Sequence, residues 1–215
     1  MKIKNMLLIS LVGISLTFTG CQKSNNDDVG QIIKNVDIKE VEKLSDDAKV
    51  LQASRDKLKV EYPQVKDDES EASAKTNLAL SKAVEPYVYS NSYKEADVKP
   101  AIKRQDDQIL SVLYEGKGKL KDGGKVNIKE SVNIDAKSGE KITFDTIIKQ
   151  DKETLKQLND ILNKKAKEKG IKEFDVNKSN IYFENDSIVF FHTPSNDKES
   201  VEVKVSEKEI KPFFR

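Results

Sequence analysis

The chain has 215 residues, with 38 Lys and Arg against 37 Asp and Glu, one Cys, one His, no Trp, 36% hydrophobic content and 35% charged. That length builds one medium domain or two small ones without disulfide support, and the balanced charge argues against a protein held electrostatically on nucleic acid. A single cysteine cannot close an internal disulfide, and a single histidine leaves no room for a zinc site or a His-centred triad, so no metal and no cofactor is expected.

Lys2 and Lys4 precede an uncharged, mostly apolar run from Met6 to Phe18. This is the charged start and short apolar core of an export signal, too short to span a bilayer as a helix. Thr19-Gly20-Cys21 follows, and small residues before the only cysteine resemble the bacterial lipobox, whose thiol receives a diacylglycerol before the chain is cut at that cysteine. The expectation is a signal peptide over 1–20, lipid attachment at Cys21 and a lipid-anchored, partly ordered tether over 21–56. Everything beyond Cys21 then lies at the outer face of the cell membrane, of Gram-positive type. Losing residues 1–20 removes two lysines and no acid, so the exported chain carries one more acidic than basic group.

Gln22 to Asp28 is wholly polar, and the scattered apolar residues of 29–55 are read as a tether with a short helix near Val41–Leu51. Leu58-Lys59-Val60-Glu61-Tyr62 alternates as a strand closed by Pro63. Glu69–Val84 carries an apolar helical stripe that Pro86 ends. Gln108–Glu115 reads as a buried central strand, and the glycines at 116, 118, 123 and 124 read as a turn. Lys125–Asp135 alternates, with Val126, Ile128, Val132 and Ile134 on one side, Lys125, Asn127, Lys129, Ser131 and Asn133 on the other, and Glu130 as the one slip; one wet face is expected. Lys141–Phe144 is a short strand before Asp145 as an N-cap, and Asp151–Lys169 is the longest helix, with Leu155, Leu158, Leu162 and Ala166 in register and Gly170 as its stop. Asn180–Phe183 and Ile188–Phe191 form a tight hairpin, Val201, Val203 and Val205 a third strand, and Glu207–Lys211 a last helical turn. Strands and helices come in blocks, which predicts an α+β fold: a largely antiparallel sheet packed by two main helices, preceded by the signal and flexible tether.

The order of Tyr62-Pro63-Gln64-Val65, Lys75-Thr76-Asn77, Ile109-Leu110-Ser111-Val112, Gly123-Gly124, Val132-Asn133-Ile134-Asp135 and Ile181-Tyr182-Phe183 with Ser187–Phe191 resembles the extracellular module shared by PdaC-type peptidoglycan deacetylases and RsiV-type anti-sigma factors. The resemblance covers about 57–215. It implies an α+β module outside the cell, without a catalytic role, which in the anti-sigma factors binds lysozyme. Two segments depart from the family: Lys125-Val126-Asn127 stands where Ala-His-Gly is usual, and the loop Thr193–Glu199 is short and lacks the Tyr-Glu-Pro pattern.

Few residues offer chemistry. Asp67-Asp68-Glu69 and Asp106-Asp107 could pair carboxylates for acid–base work on a sugar, but each precedes an element among other charges, as solvated turns do. His192, at a strand end, reads as a capping or core residue. Tyr87, Tyr89 and Tyr93 could stack on a glycan or anchor a protein partner, or equally close the edge of the core. With Thr193, Pro194, Asn196 and Asp197 of the short loop they form the candidate binding surface. The expected function is a lipid-anchored, non-catalytic binding protein, held to the membrane through acylated Cys21 and recognising a lysozyme-like protein or peptidoglycan, with no nucleic-acid partner. The alternatives are a carboxylate-dependent peptidoglycan-modifying enzyme of the envelope, or an accessory scaffold for a partner enzyme.

Overall fold

The computed structural model describes residues 35–193 and 200–215. Two sheets and two substantial helices make an α+β fold with mostly antiparallel pairing. The first sheet contains β1 (Asp37–Lys43), β2 (Ala48–Arg55), β3 (Leu58–Val65), β4 (Tyr93–Gln105), β5 (Ile109–Leu120), β6 (Lys125–Asp135) and β7 (Lys141–Ile142), hydrogen-bonded in that order. Every pair is antiparallel except β3 with β4, which run parallel from Leu58↔Ala96 to Val60↔Val98. Between β3 and β4 the chain crosses over through α1 (Glu71–Lys82) and the one-turn α2 (Glu85–Val88). The second sheet, β8 (Asn180–Glu184), β9 (Ser187–His192) and β10 (Val201–Ser206), is an antiparallel meander. Around it lie α3 (Phe144–Ile147), α4 (Lys152–Glu168) and α5 (Glu207–Ile210).

Two apolar cores explain this layering. Leu80, Val84 and Val88 of the crossover pack with Val60, Val98, Val112, Tyr114 and Ile134 of the first sheet. Leu158, Leu162 and Ala166, spaced to share one side of α4, pack with Ile181, Phe183, Ile188, Phe190, Val203 and Val205 of the second. Between the sheets Leu113 meets Tyr182, Val189 and Phe191. The second sheet is therefore covered on both sides, which is why β9 is apolar at four consecutive positions, all buried.

The long helix starts and stops as its sequence predicts: Asp151 accepts the Thr154 N–H at 2.9 Å, and Gly170 leaves it at φ +76°. Several expectations are corrected. Folded structure extends to the N-terminal side of 57, because residues 37–55, expected as part of the tether, form β1 and β2; the helix foreseen over 41–51 is a strand pair around a turn. Val50 and Ala53 are buried there, yet too few apolar positions alternate to mark strands in advance. The strand β4 went unread because Pro100 interrupts its pattern. Gly116 and Gly118 lie inside β5, where a side chain at 116 would strike the Asp97 carbonyl and one at 118 the Tyr93 ring. Thr143, not Asp145, caps α3 through a reciprocal box with Thr146. Pro86 does not simply end a helix but starts α2.

The side of β6 expected to be wet is half covered by the second sheet. Ser111 and Asn133 are buried and join the free edge of β8 to the first sheet: the Phe183 N–H donates to Ser111 Oγ at 3.0 Å, Ser111 Oγ donates to Asn133 Oδ1 at 2.7 Å, and Asn133 Nδ2 donates to the Ile181 carbonyl at 2.8 Å. The Ser131 hydroxyl donates to the same carbonyl at 2.7 Å. These polar residues satisfy edge groups that burial would otherwise strand. The slip at Glu130 has a partner too, since the Tyr87 hydroxyl donates to Glu130 Oε2 at 2.9 Å. The open edge at β1 is fully exposed but carries a bulge between Glu40 and Glu42 and four charged residues besides Asp37, devices that discourage further pairing.

Candidate functional site

The first sheet has two chemically different ends. At one, the β1–β2 turn, the end of β3, the start of α1 and the β4–β5 and β6–β7 turns surround two adjoining hollows of about 380 and about 570 Å³ that share Asp47, Val65 and Lys66. The larger has an apolar floor containing Leu110, Ile134 and Ala72, and its rim carries Asp47, Asp68 and Asp106 together with Lys66, which pairs with Asp47 at 3.5 Å, and Lys137. Both acid clusters singled out in the sequence thus reach one cleft.

Local turn chemistry fixes these acids. Asp67 accepts the Glu69 N–H and Asp68 the Ser70 N–H, both at 3.0 Å, while the Ser70 hydroxyl accepts the Ser73 N–H to cap α1. Glu69 is held at φ 64°, in the left-handed region, by this tight lead-in. Asp106 accepts from the backbone N–H groups of Gln108 and Ile109 at 2.9 and 2.7 Å and from Arg104 Nε at 2.5 Å. Arg104 also pairs with Glu207, joining the first sheet to α5. Hydrogen bonds from Ser70 and Ser73 hold the Asp68 carboxyl down at about 2, and Arg104 with the two backbone donors brings Asp106 to about 2. Both are ionised at neutral pH, so neither serves there as a proton-donating acid.

The other candidates separate. Tyr87 lies in the first core at 7% exposure and not on the surface. Burial, then the charge of Glu130, pushes its hydroxyl far above the usual tyrosine range. Tyr93 is half-buried with its ring 5.3 Å from that of Tyr87, and Tyr89 packs on the same core half-buried. The tyrosines close the core edge, the second of the two readings that their spacing allowed. Thr193 Oγ1 sits 2.9 Å from Ser200 Oγ. Cys21, Pro194, Asn196 and Asp197 lie outside the described residues. His192 is half-buried against the Phe174 ring at 5.2 Å, a packing role.

A third cleft, about 560 Å³, lies where the second sheet meets the uncovered part of the first, and sequence reading missed it. Lys129, with its side chain only 11% exposed, pairs there with Glu115 and with Glu202 at 2.7 Å. Its ammonium lies 5.9 Å from the Phe191 ring centroid. Burial works against the charged lysine, but the two carboxylates outweigh it and hold its pKa above the usual value. The cross-strand row Lys99–Glu115–Lys129 that builds this cluster appears only once the strands are in register. Among the described residues no group of three or more His, Cys, Asp or Glu is arranged to hold a metal ion, and no helix is long and apolar enough to cross a membrane.

No family model matches the chain, and no curated protein matches its sequence. Its fold is found among solved structures. A member of the DUF3298 family from Bacteroides fragilis superposes with a TM-score of 0.53 and 11% identity, covering 84% of this chain and 94% of that one. A DUF3298 family protein from Pseudomonas aeruginosa gives 0.51 and 8%, with the same coverage of each chain. At such identities the likeness establishes architecture alone, and at that coarse level it fits the PdaC/RsiV-like module expected from the sequence.

Proposed function

We propose that this is a lipid-anchored extracytoplasmic binding protein, without catalytic activity, whose ligand is a basic exported protein of the lysozyme type or a component of the cell wall. The observation that carries the reading is the cleft at Asp68 and Asp106. It is concave and partly apolar, and its rim carboxylates stay ionised because turn hydrogen bonds and Arg104 hold them so. Of the cleft's three acids, Asp47 pairs with Lys66 and Asp106 with Arg104, and Asp68 has no cationic partner among the described residues. An ionised carboxylate beside an apolar floor suits recognition of a Lys or Arg side chain, whereas acid–base attack on a glycoside needs one carboxyl that keeps its proton. The Lys2, Lys4 and Met6–Phe18 signal with Cys21 supports the anchored location.

The test is retention of the chain from Gln22 to Arg215 on immobilised lysozyme and on purified peptidoglycan at near-physiological salt. Retention on one of them is expected, weakened about tenfold by Asp68→Asn with Asp106→Asn, changes that keep the side-chain oxygen accepting the turn N–H groups while removing the charge and, at 106, the oxygen that accepts from Arg104. No retention on either support would count heavily against the proposal. Turnover of peptidoglycan fragments that Asp106→Asn abolishes in a still-folded protein would establish the enzymatic alternative instead.

A further inference from the structure

The end of the first sheet opposite the acidic cleft is basic. The β5–β6 hairpin, Lys117 to Lys125, carries four lysines against Asp122, and Lys117, Lys121 and Lys125 are exposed. Lys57, Lys59 and Lys94 add exposed cations from the β2–β3 turn and the beginnings of β3 and β4. These segments meet physically: the Ala96 N–H donates to the Lys57 carbonyl at 3.2 Å and the Lys121 N–H to the Ser92 carbonyl at 3.0 Å. Acids lie here too: Glu95 pairs with Lys57 at 3.5 Å, and Asp37, Asp56, Asp97 and Asp122 are exposed, but the seven lysines at 57, 59, 94, 117, 119, 121 and 125 outnumber these five acids and leave the end net basic.

The register shows where the chain enters. One cross-sheet row runs Asp37, Ser54, Lys59, Asp97, Lys117 and Asn127, so the first residue of β1 lies level with the lysines. Fifteen residues separate Cys21 from Asp37. Fully extended they span at most about 55 Å. The chain from Cys21 enters the first sheet at the basic end, and this reach lets that end lie against the surface that holds Cys21; the choice between the two ends rests on their charge. Val65, on the cleft, is six residues further along β3 than Lys59, a distance of about 20 Å and more than twice the screening length at physiological salt. The acidic end therefore does not cancel the attraction at the basic one.

We propose that the lysine-bearing end of the first sheet docks on the anionic headgroups of the bilayer to which Cys21 is attached, so that the acid-rimmed cleft points away from the membrane. This orientation rests on the lipid-anchor reading. The docking adds an electrostatic contact to the acyl chains, and surface lysines and anionic lipid are complementary in the manner of juxtamembrane basic segments.

The experiment uses the chain from Gln22 to Arg215, which contains every residue of both cores and therefore folds without the signal. Sedimentation with vesicles of phosphatidylcholine alone, or mixed with phosphatidylglycerol, reads binding without any acyl chain. Binding only to the anionic vesicles is expected, lost in high salt. Lys117→Glu, Lys121→Glu and Lys125→Glu together should weaken it more than about tenfold, and the milder triple change to Gln should weaken it in the same direction, while Lys66→Glu with Lys137→Glu at the cleft should not weaken it. Equal binding to uncharged vesicles, no effect of either hairpin triple, or capture by a soluble polyanion with no vesicle binding would overturn the proposal. Failure on vesicles with Cys21 found acylated removes the docking alone, whereas an unmodified Cys21 removes the orientation together with the anchor.

Discussion

At the residue scale, the side chains that hold the two sheets together are the ones a pattern reading discards. Asn133 sits at a position that alternation assigns to solvent and Ser111 is the polar member of a strand read as buried, yet they are 4% and 0% exposed because β8 lays its edge across them. Removing the amide takes away the acceptor of the buried Ser111 hydroxyl and one of the two donors to the Ile181 carbonyl, leaving Ser131 as the other. Asn133→Ala is therefore expected to cost about 2–3 kcal/mol in urea unfolding, well above a surface substitution. A loss within 0.5 kcal/mol, the usual range for surface positions, would mean that water replaces the side chain there. The acids behave in the reverse way. Asp68 and Asp106 were legible as solvated turn residues, and they are, but their arrival at one cleft depends on the three-dimensional meeting of α1 with the β4–β5 turn. Glycines divide along the same line: Gly123 is a turn residue as read, whereas Gly139, also at positive φ, additionally sits where a side chain would lie 2.4 Å from the Ala72 carbonyl of α1.

At the element scale, what was legible was whatever carries its own signal. The helix over 152–168 announces itself by an Asp cap, an apolar stripe and a terminal Gly, and β6 and the β8–β9 hairpin by alternation and a short polar turn. β4 buries only Ala96 and Val98 in alternation before Pro100 and mixed charges break the pattern, and β1 exposes all seven residues, so the first has a period too short to detect and the second none. Their existence follows from neighbours: β2 is needed to cover β3, and β1 extends β2. A chain starting at residue 57 removes the buried Val50 and Ala53 and strips the antiparallel partner from β3 along its full length. It is expected to melt at least about 10 °C below the chain from Gln22, followed by circular dichroism, since several kcal/mol is a large share of a domain's stability. Melting within two or three degrees would show that the sheet closes without its first two strands.

At the scale of the whole molecule, near-neutral composition conceals a polarised one. Lysines outnumber acids where the chain enters the first sheet, and acids outnumber lysines around the hollows at its other end, with the second sheet and α4 packed across the remaining half. Net charge could not reveal this, because opposite ends cancel in a sum while a partner within a screening length meets only one of them. Both proposals draw on the same arrangement, a basic end toward the anchor and an acidic cleft toward the exterior, and both depend on where the chain is fastened. The most direct measurement is therefore the intact mass of the protein recovered from membranes of a bacterium expressing the full chain. A chain beginning at Cys21 with a thioether-linked diacylglycerol is the expected result; an unmodified Cys21, or a mature chain starting elsewhere and recovered free of the membrane, would contradict it.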